Sequence, residues 1–109
     1  MSAEIRVSVL PGWVSEVLSA RAAAHAKHGV HSIEALDYAD PRWLTVLVEE
    51  IGEVAHELTY DAEPVTDQAL DVDERARAEA RRVRGELLDV LAVASAWLDA
   101  ADRAIGGAR

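Results

Sequence analysis

The stretch "DPRWLTVLVEEIGEVAHELTY", residues 40–60, has the start signal and the periodicity of an amphipathic α-helix. Asp40 is a common helix cap, and Pro41 suits the first helical position. Apolar residues then recur at three- and four-residue spacings, which places them on one face: Leu44, Leu47, Val48, Ile51, Val54, Ala55 and Leu58. The sequence therefore predicts a helix that runs to about residue 60 and buries one apolar stripe.

Two more helices are predicted on either side of this stretch. The first runs from Trp13 to about His28, where Gly29 stops it. From about Asp73 to Ile105 there is no proline and most residues favour helix, which predicts one helix of about 33 residues and roughly 50 Å. A compact monomer of 109 residues cannot cover a helix of that length. We therefore expect an all-α fold in which a second copy covers the third helix.

The chain divides into an arm, a helical domain and a tail. Residues 4–10 alternate weakly between polar and apolar, and 1–12 are predicted to form an arm that contains a short strand or is extended. Residues 13–105 form the helical domain, and 106–109 are expected to be a flexible tail. Within the domain, 30–40 is a connector with one short turn, and 61–73 is an acidic loop broken by a proline.

Charge and composition limit the classes of function. The formal net charge is −9, from 20 acidic against 11 basic residues, which argues against binding a nucleic acid polymer. A nucleotide substrate is still compatible, because a divalent ion can reverse the local charge. The absence of cysteine excludes disulfides and thiolate metal sites. The N-terminus does not resemble a signal peptide and no apolar run approaches about 18 residues, so a soluble cytoplasmic protein without a membrane partner is expected.

Two pairs of acidic residues lie at the borders of apolar helix faces. Glu50 and Glu53 are three residues apart on the second helix, and Glu86 and Asp89 are three apart on the third, so each pair lies on one side of its helix. If the helices pack antiparallel through their apolar stripes, the four carboxylates can face each other. Such an oxygen-rich site suits Mg²⁺ or Mn²⁺. Taken alone, an acidic pair with this spacing is more often part of a solvated helix face than of a metal site.

Each acidic pair has a glycine beside it within its helix. Gly52 and Gly85 occupy helix interiors, where glycine costs about 1 kcal/mol relative to alanine. Close approach of a backbone or a ligand would account for both.

"EEIGE" (49–53) followed by "ELLD" (86–89) resembles the EExxE…ExxD signature of the MazG-like, all-α nucleoside triphosphate pyrophosphatases. "HAKHG" (25–29) and "AVASAWLDA" (92–100) are similar to the segments that flank these motifs, so that the resemblance spans most of 20–100. It implies a MazG-like helical bundle completed as a homodimer or homotetramer. It also implies Mg²⁺-dependent hydrolysis of an NTP or dNTP to the monophosphate and pyrophosphate, with Mn²⁺ as a substitute.

Carried over onto this chain, the resemblance implies four metal ligands: Glu50, Glu53, Glu86 and Asp89. Glu49 matches the first acid of the motif and would orient or activate the attacking water, or help to hold a second metal, so that Glu49, Glu50 and Glu53 form the catalytic set. Lys27 aligns with the family's lysine and, with Arg84, is a candidate for contacts to substrate phosphates. A solvated lysine at a helix end is an equally good interpretation of Lys27.

The chain departs from the family pattern at two places. His25 and His28 stand where small relatives often have Gln and Trp, which leaves base contacts there in doubt. The gap between Glu53 and Glu86 is longer than in compact members and is closer to that of dUTPase-like relatives, which leaves the choice of substrate open.

Several residues near the motifs also have an ordinary structural interpretation. Trp43 and Trp97 could stack on a base, but their helical spacing favours the core or a dimer interface. The arginines that precede the second motif favour surface ion pairs over phosphate contacts: Arg81, Arg82 and Arg84. Glu57 is expected to be ordinary surface.

Two histidine patterns are weak as metal sites. His25 and His28 lack a third ligand nearby, so a partly exposed pair is expected. Glu53 and His56 form the ExxH pattern of di-iron carboxylate bundles, which need that pattern twice, and the third helix supplies no histidine. The remaining rival to the enzyme is a non-catalytic helical dimerisation or interaction module with a structural cation site.

Overall fold

The computed structural model describes residues 10–59 and 71–106. This part of the chain contains three α-helices and no strand, which confirms the all-α class: α1 is Gly12–His28, α2 is Arg42–Thr59 and α3 is Val72–Gly106. Two 3-10 turns, Gly29–His31 and Ile33–Ala35, lie between α1 and α2. The predicted arm apart from its last three residues, most of the acidic loop, and residues 107–109 of the predicted tail lie outside the described residues. None of the described helices is both long and apolar enough to cross a membrane.

The start of α2 follows the predicted capping pattern. The carboxylate of Asp40 accepts a hydrogen bond of 2.9 Å from the backbone N–H of Arg42, which satisfies one of the amides that a helix leaves free at its first turn. The Arg42 guanidinium also binds this carboxylate, at 3.0 and 2.7 Å. Its hydrogen bonds lower the pKa of Asp40 to about 2.

The start of α3 lies slightly earlier than predicted. The Asp71 carboxylate accepts a hydrogen bond of 2.7 Å from the backbone N–H of Glu74. The pattern D-x-x-E at residues 71–74 is a variant of the capping box, so α3 begins at Val72 rather than at about Asp73. The end of α1 agrees with the prediction, because Gly29 takes a φ of +56° there and its N–H bonds to the carbonyl of His25.

The core lies between α2 and the C-terminal half of α3. Trp43 is completely buried, and its ring stacks on that of Trp97 with centroids 6.1 Å apart and planes parallel to within 1°. The two indole N–H groups donate to the backbone carbonyls of Asp37, at 2.9 Å, and Tyr38, at 2.7 Å. Trp43 is therefore a core residue, as its helical spacing predicts, and Trp97 packs against the same core.

The helices α2 and α3 pack antiparallel. Trp43 near the start of α2 meets Trp97 far along α3, while Glu57 near the end of α2 meets Arg82 near the start of α3. This direction of packing is the one that the facing acidic pairs require.

The apolar stripe predicted for α2 is only partly buried. Val46 and Leu47 pack against the core, but a second row of apolar side chains on α2 is at least half exposed: Leu44, Val48, Ile51 and Leu58. We call this row the outer face of α2. A groove at one end of it combines Leu58 with Val83 and Leu87 of α3, so the exposed apolar surface continues onto the third helix.

The glycines beside the acidic pairs face open space. A Cβ atom added at Gly52 or Gly85 would have no atom within 4 Å apart from its chain neighbours and the backbone of its own helix. Close packing of another described segment therefore does not account for either glycine. Close approach of a ligand stays a prediction.

Candidate metal centre

Carboxylates from α2 and α3 converge where the two helices face each other. One oxygen from each of Glu50, Glu86 and Asp89 lies within 4.8 Å of the other two. Glu50 and Glu86 are partly buried, and Asp89 is exposed. The spacing of three residues puts Glu86 and Asp89 on one side of α3, and the antiparallel packing brings Glu50 opposite them. These three residues are called the acidic cluster below.

The other two predicted acids flank the acidic cluster. Glu53 is exposed, one turn along α2 from Glu50, and its charge contributes to raising the pKa values of Glu50 and Glu86. Its carboxylate nevertheless lies outside the group of three that meet within 4.8 Å. Glu49 is exposed on α2, and its charge makes the smallest of the contributions that raise the pKa of Glu50. The structure thus brings together three of the four predicted ligands.

The charges of the acidic cluster repel one another. Burial is the main cause that raises the pKa of Glu50, followed by the negative charges of Asp89 and Glu86. Burial and then Asp89 raise the pKa of Glu86 in the same way. In the described part of the chain, no lysine or arginine forms an ion pair with any of the three carboxylates. A bound cation would relieve this repulsion.

Glu57 is not ordinary surface, and that prediction was wrong. Its side chain is 16% exposed and accepts a hydrogen bond of 3.3 Å from the Nε of Arg82. Its charge also contributes to the raised pKa of Glu86. Glu57 lies two turns after Glu50, on the same side of α2, so the packing that buries Glu50 buries it too.

A cleft of about 380 Å³ opens beside the acidic cluster. Glu50 and Asp89 line it, together with apolar side chains that include Ile33, Val46 and Val93. Its volume lies in the range of small-molecule sites, which combine an apolar lining with a few polar groups. The cleft therefore offers space for an organic ligand next to the carboxylates.

The predicted basic contacts lie away from this cleft, apart from one histidine. Lys27 is exposed in the last turn of α1 and is not a lining residue. Arg84 binds the carboxylate of Glu16 on α1 through both terminal nitrogens, one of them at 3.1 Å. The surface ion pairs predicted for Arg82 and Arg84 are confirmed, with partners on helices. His25 and His28 are both exposed, and His28 lines the cleft.

Sequence reasoning missed the polar residues in the opposite wall of the cleft. Arg21, Ser32 and Glu34 all line it, and the two charged ones bind each other at 2.8 and 3.0 Å. The sequence feature that could have pointed to them is Arg21 itself, a single arginine followed by the alanine run of α1. No spacing pattern connects it to a residue 13 positions later.

Comparisons of the chain with protein-family models, with curated proteins and with solved structures give no match. What the site can do is therefore inferred from its own side chains.

Without a cation, Glu50→Gln is expected to stabilise the protein at neutral pH. The raised pKa values mean that the folded state holds these protons more tightly than the unfolded chain does. The protein therefore loses folding stability as the pH rises from the pKa of the unfolded chain to that of the folded state. This loss persists at every pH above both values. Relieving roughly 0.5 kcal/mol of repulsion would raise Tm by about 2–4 °C in thermal denaturation with EDTA.

The control for this experiment is Glu79→Gln, which removes the same charge from an exposed position on α3. The two variants should differ at pH 7 and converge near pH 3, which lies below the ordinary pKa range of Asp and Glu side chains. Excess Mg²⁺ should raise the Tm of the wild type but not that of Glu50→Gln. Equal Tm values for Glu50→Gln and wild type in EDTA at pH 7 would contradict the repulsion.

Proposed function

We propose that this chain is a Mg²⁺-dependent nucleoside triphosphate pyrophosphohydrolase of the MazG-like, all-α class. It would cleave an NTP or dNTP between the α- and β-phosphates and release the monophosphate and pyrophosphate. The observation that carries the proposal is the convergence of Glu50, Glu86 and Asp89 within 4.8 Å, beside a cleft of about 380 Å³.

The donor set fits a hard divalent cation. The acidic cluster offers only carboxylate oxygens, which Mg²⁺ and Mn²⁺ prefer over nitrogen and sulfur ligands. Mg²⁺ is usually held by one or two carboxylates together with substrate phosphates, which agrees with a cluster open to an adjoining cleft. When bound, the ion would neutralise charge on the phosphate oxygens and lower the pKa of a water molecule.

The protein's own side chains would supply positioning. Glu50, Glu86 and Asp89 would hold the cation, and Glu53, one turn along α2 from Glu50, would add a fourth carboxylate. Glu49 is the candidate for accepting a proton from the attacking water, because it is exposed beside Glu50 and keeps no arginine partner in the described chain. The apolar part of the cleft would hold the nucleoside, and such positioning supplies most of the rate in phosphoryl chemistry.

Contacts to the phosphates are proposed for Lys27 and Arg84. Arg84 would have to exchange Glu16 for the substrate, since its guanidinium is bound there by both terminal nitrogens. Lys27 lies one residue before His28, which lines the cleft.

The proposal is tested by incubating the purified protein with a panel of NTPs and dNTPs in Mg²⁺ and measuring pyrophosphate. We expect release from at least one nucleotide, loss of release in EDTA, restoration by Mn²⁺, and a large decrease in Glu53→Gln. Absence of release from every nucleotide, or undiminished release in Glu53→Gln, would reject the assignment.

A non-catalytic dimerisation or interaction module is the second candidate. The exposed outer face of α2 favours it, because an apolar row of that length is typical of a surface that another helix covers. In that case the acidic cluster would hold a structural cation. Mg²⁺ that raises Tm without any nucleotide turnover would support the module over the enzyme.

We also propose a homodimer formed through the outer face of α2, which is compatible with either candidate. Val48→Glu combined with Ile51→Glu should convert the dimer into a monomer, because two charges would be buried without partners. Light scattering after gel filtration measures the mass. The control is Ile105→Glu, at an exposed apolar position near the end of α3, which should leave the dimer intact. A wild-type protein that is monomeric at tens of micromolar would refute the interface.

A further inference from the structure

Arg21 joins three elements through one guanidinium group. It binds Glu34 of the connector through Nε at 3.0 Å and a terminal nitrogen at 2.8 Å. Its other terminal nitrogen lies 2.8 Å from the carboxylate of Asp99 and 3.5 Å from the Oγ of Ser95, both on α3. The side chains of Arg21 and Glu34 are only 13% and 17% exposed. We call this group the Arg21 clamp.

The Arg21 clamp connects three of the four walls of the cleft beside the acidic cluster. The cleft is lined by α1, by the connector at residues 31–34, by α2 and by α3. The clamp ties α1, the connector and α3 together. The remaining wall, α2, supplies Glu50. The position of the connector relative to the metal-binding carboxylates on α3 therefore depends on the clamp.

Other contacts fix the rest of the connector but leave this role to Arg21. The two indoles hold the backbone at Asp37 and Tyr38, beyond the cleft. Within the lining segment, the Oγ of Ser32 accepts a local bond of 3.1 Å from the N–H of Glu34, which shapes the turn but ties it to no helix. Ile33 packs on the core without directional preference. The two hydrogen bonds that Arg21 donates to Glu34 fix the orientation of this segment.

We propose that Arg21 is a positioning residue, whose two-pronged bond to Glu34 holds the connector wall of the cleft in place for the nucleoside part of the substrate. This inference rests on the proposed function. Arg21 is committed to two carboxylates, so it acts through Glu34 rather than on the phosphates. A lysine keeps the positive charge but cannot form the paired bonds.

The experiment compares Arg21→Lys, Glu34→Gln and the double variant with the wild type on the preferred nucleotide. Each single variant should raise KM by about tenfold and leave kcat within about twofold. The double variant should be no worse than either single one, because both remove the same interaction. Mn²⁺ affinity, measured by paramagnetic resonance without nucleotide, should be unchanged. The control is Arg42→Lys, which breaks an equally two-pronged but exposed pair with Asp40. This control should leave KM at the wild-type value.

Hydrogen exchange supplies a readout that does not depend on turnover. Amides of residues 29–36 should exchange faster in Arg21→Lys, and those of α2 at the wild-type rate. An unchanged KM in Arg21→Lys would overturn the positioning role. A rise in KM that is accompanied by losses of both kcat and Mn²⁺ affinity would overturn it as well. In those cases an active wild type leaves the proposed function standing. A wild type that neither turns over nor binds any nucleotide overturns both.

Discussion

Asp89→Asn is expected to lower kcat/KM for nucleotide hydrolysis by at least about 100-fold, because it removes one of the three converging carboxylates that we propose as metal ligands. Asp89 is exposed, so the change costs no packing and the fold should persist. Steady-state kinetics at saturating Mg²⁺ measure the loss, and circular dichroism checks the helices. The same substitution should weaken Mn²⁺ binding, which separates loss of the metal from loss of the substrate.

The matched control is again Glu79→Gln, which removes one charge from an exposed site on the same helix. Its kcat/KM should stay within about twofold of the wild type, since surface charge alone acts weakly at that distance. If Asp89→Asn behaves like this control, the acidic cluster is not the catalytic metal site.

Trp43→Ala is expected to cost about 3–5 kcal/mol of folding free energy, which is a large part of the stability of a domain of this size. Trp43 is fully buried, stacks on Trp97 and donates a hydrogen bond to the carbonyl of Asp37. Its removal leaves a cavity and an unpaired carbonyl. Urea denaturation followed by circular dichroism measures the change.

Trp13→Ala provides the comparison, because Trp13 is 44% exposed on α1. Its cost should stay below about 1.5 kcal/mol, since much of the ring already contacts water. A Trp43→Ala protein as stable as Trp13→Ala would show that the stacked indoles do not anchor the core.

The helices follow from the sequence because their signals are local. The cap at Asp40, the stop at Gly29 and the proline-free run of α3 each act within a few residues. The D-x-x-E pattern at 71–74 is also a local signal, and it accounts for the start of α3 at Val72. How the apolar stripe of α2 divides between core and surface was not predictable, since it depends on the side from which α3 approaches.

The acidic cluster was predictable in part for the same reason. Spacing of three residues fixes Glu86 and Asp89 on one side of α3, and antiparallel packing brings Glu50 to them. Helix geometry does not decide how deeply a row of acids is buried, so the spacing alone could not predict that Glu57 is largely buried. The Arg21 clamp could not be foreseen, because it joins residues 13 and 74 positions apart.

Cleavage between the α- and β-phosphates can be observed by ³¹P NMR of the preferred nucleotide with the protein and Mg²⁺. We expect signals of the monophosphate and of pyrophosphate to grow in equal amounts, EDTA to stop both, and Asp89→Asn nearly to abolish them. Formation of the diphosphate and orthophosphate, or no loss of triphosphate from any nucleotide, would show that the chain is not a nucleotide pyrophosphohydrolase.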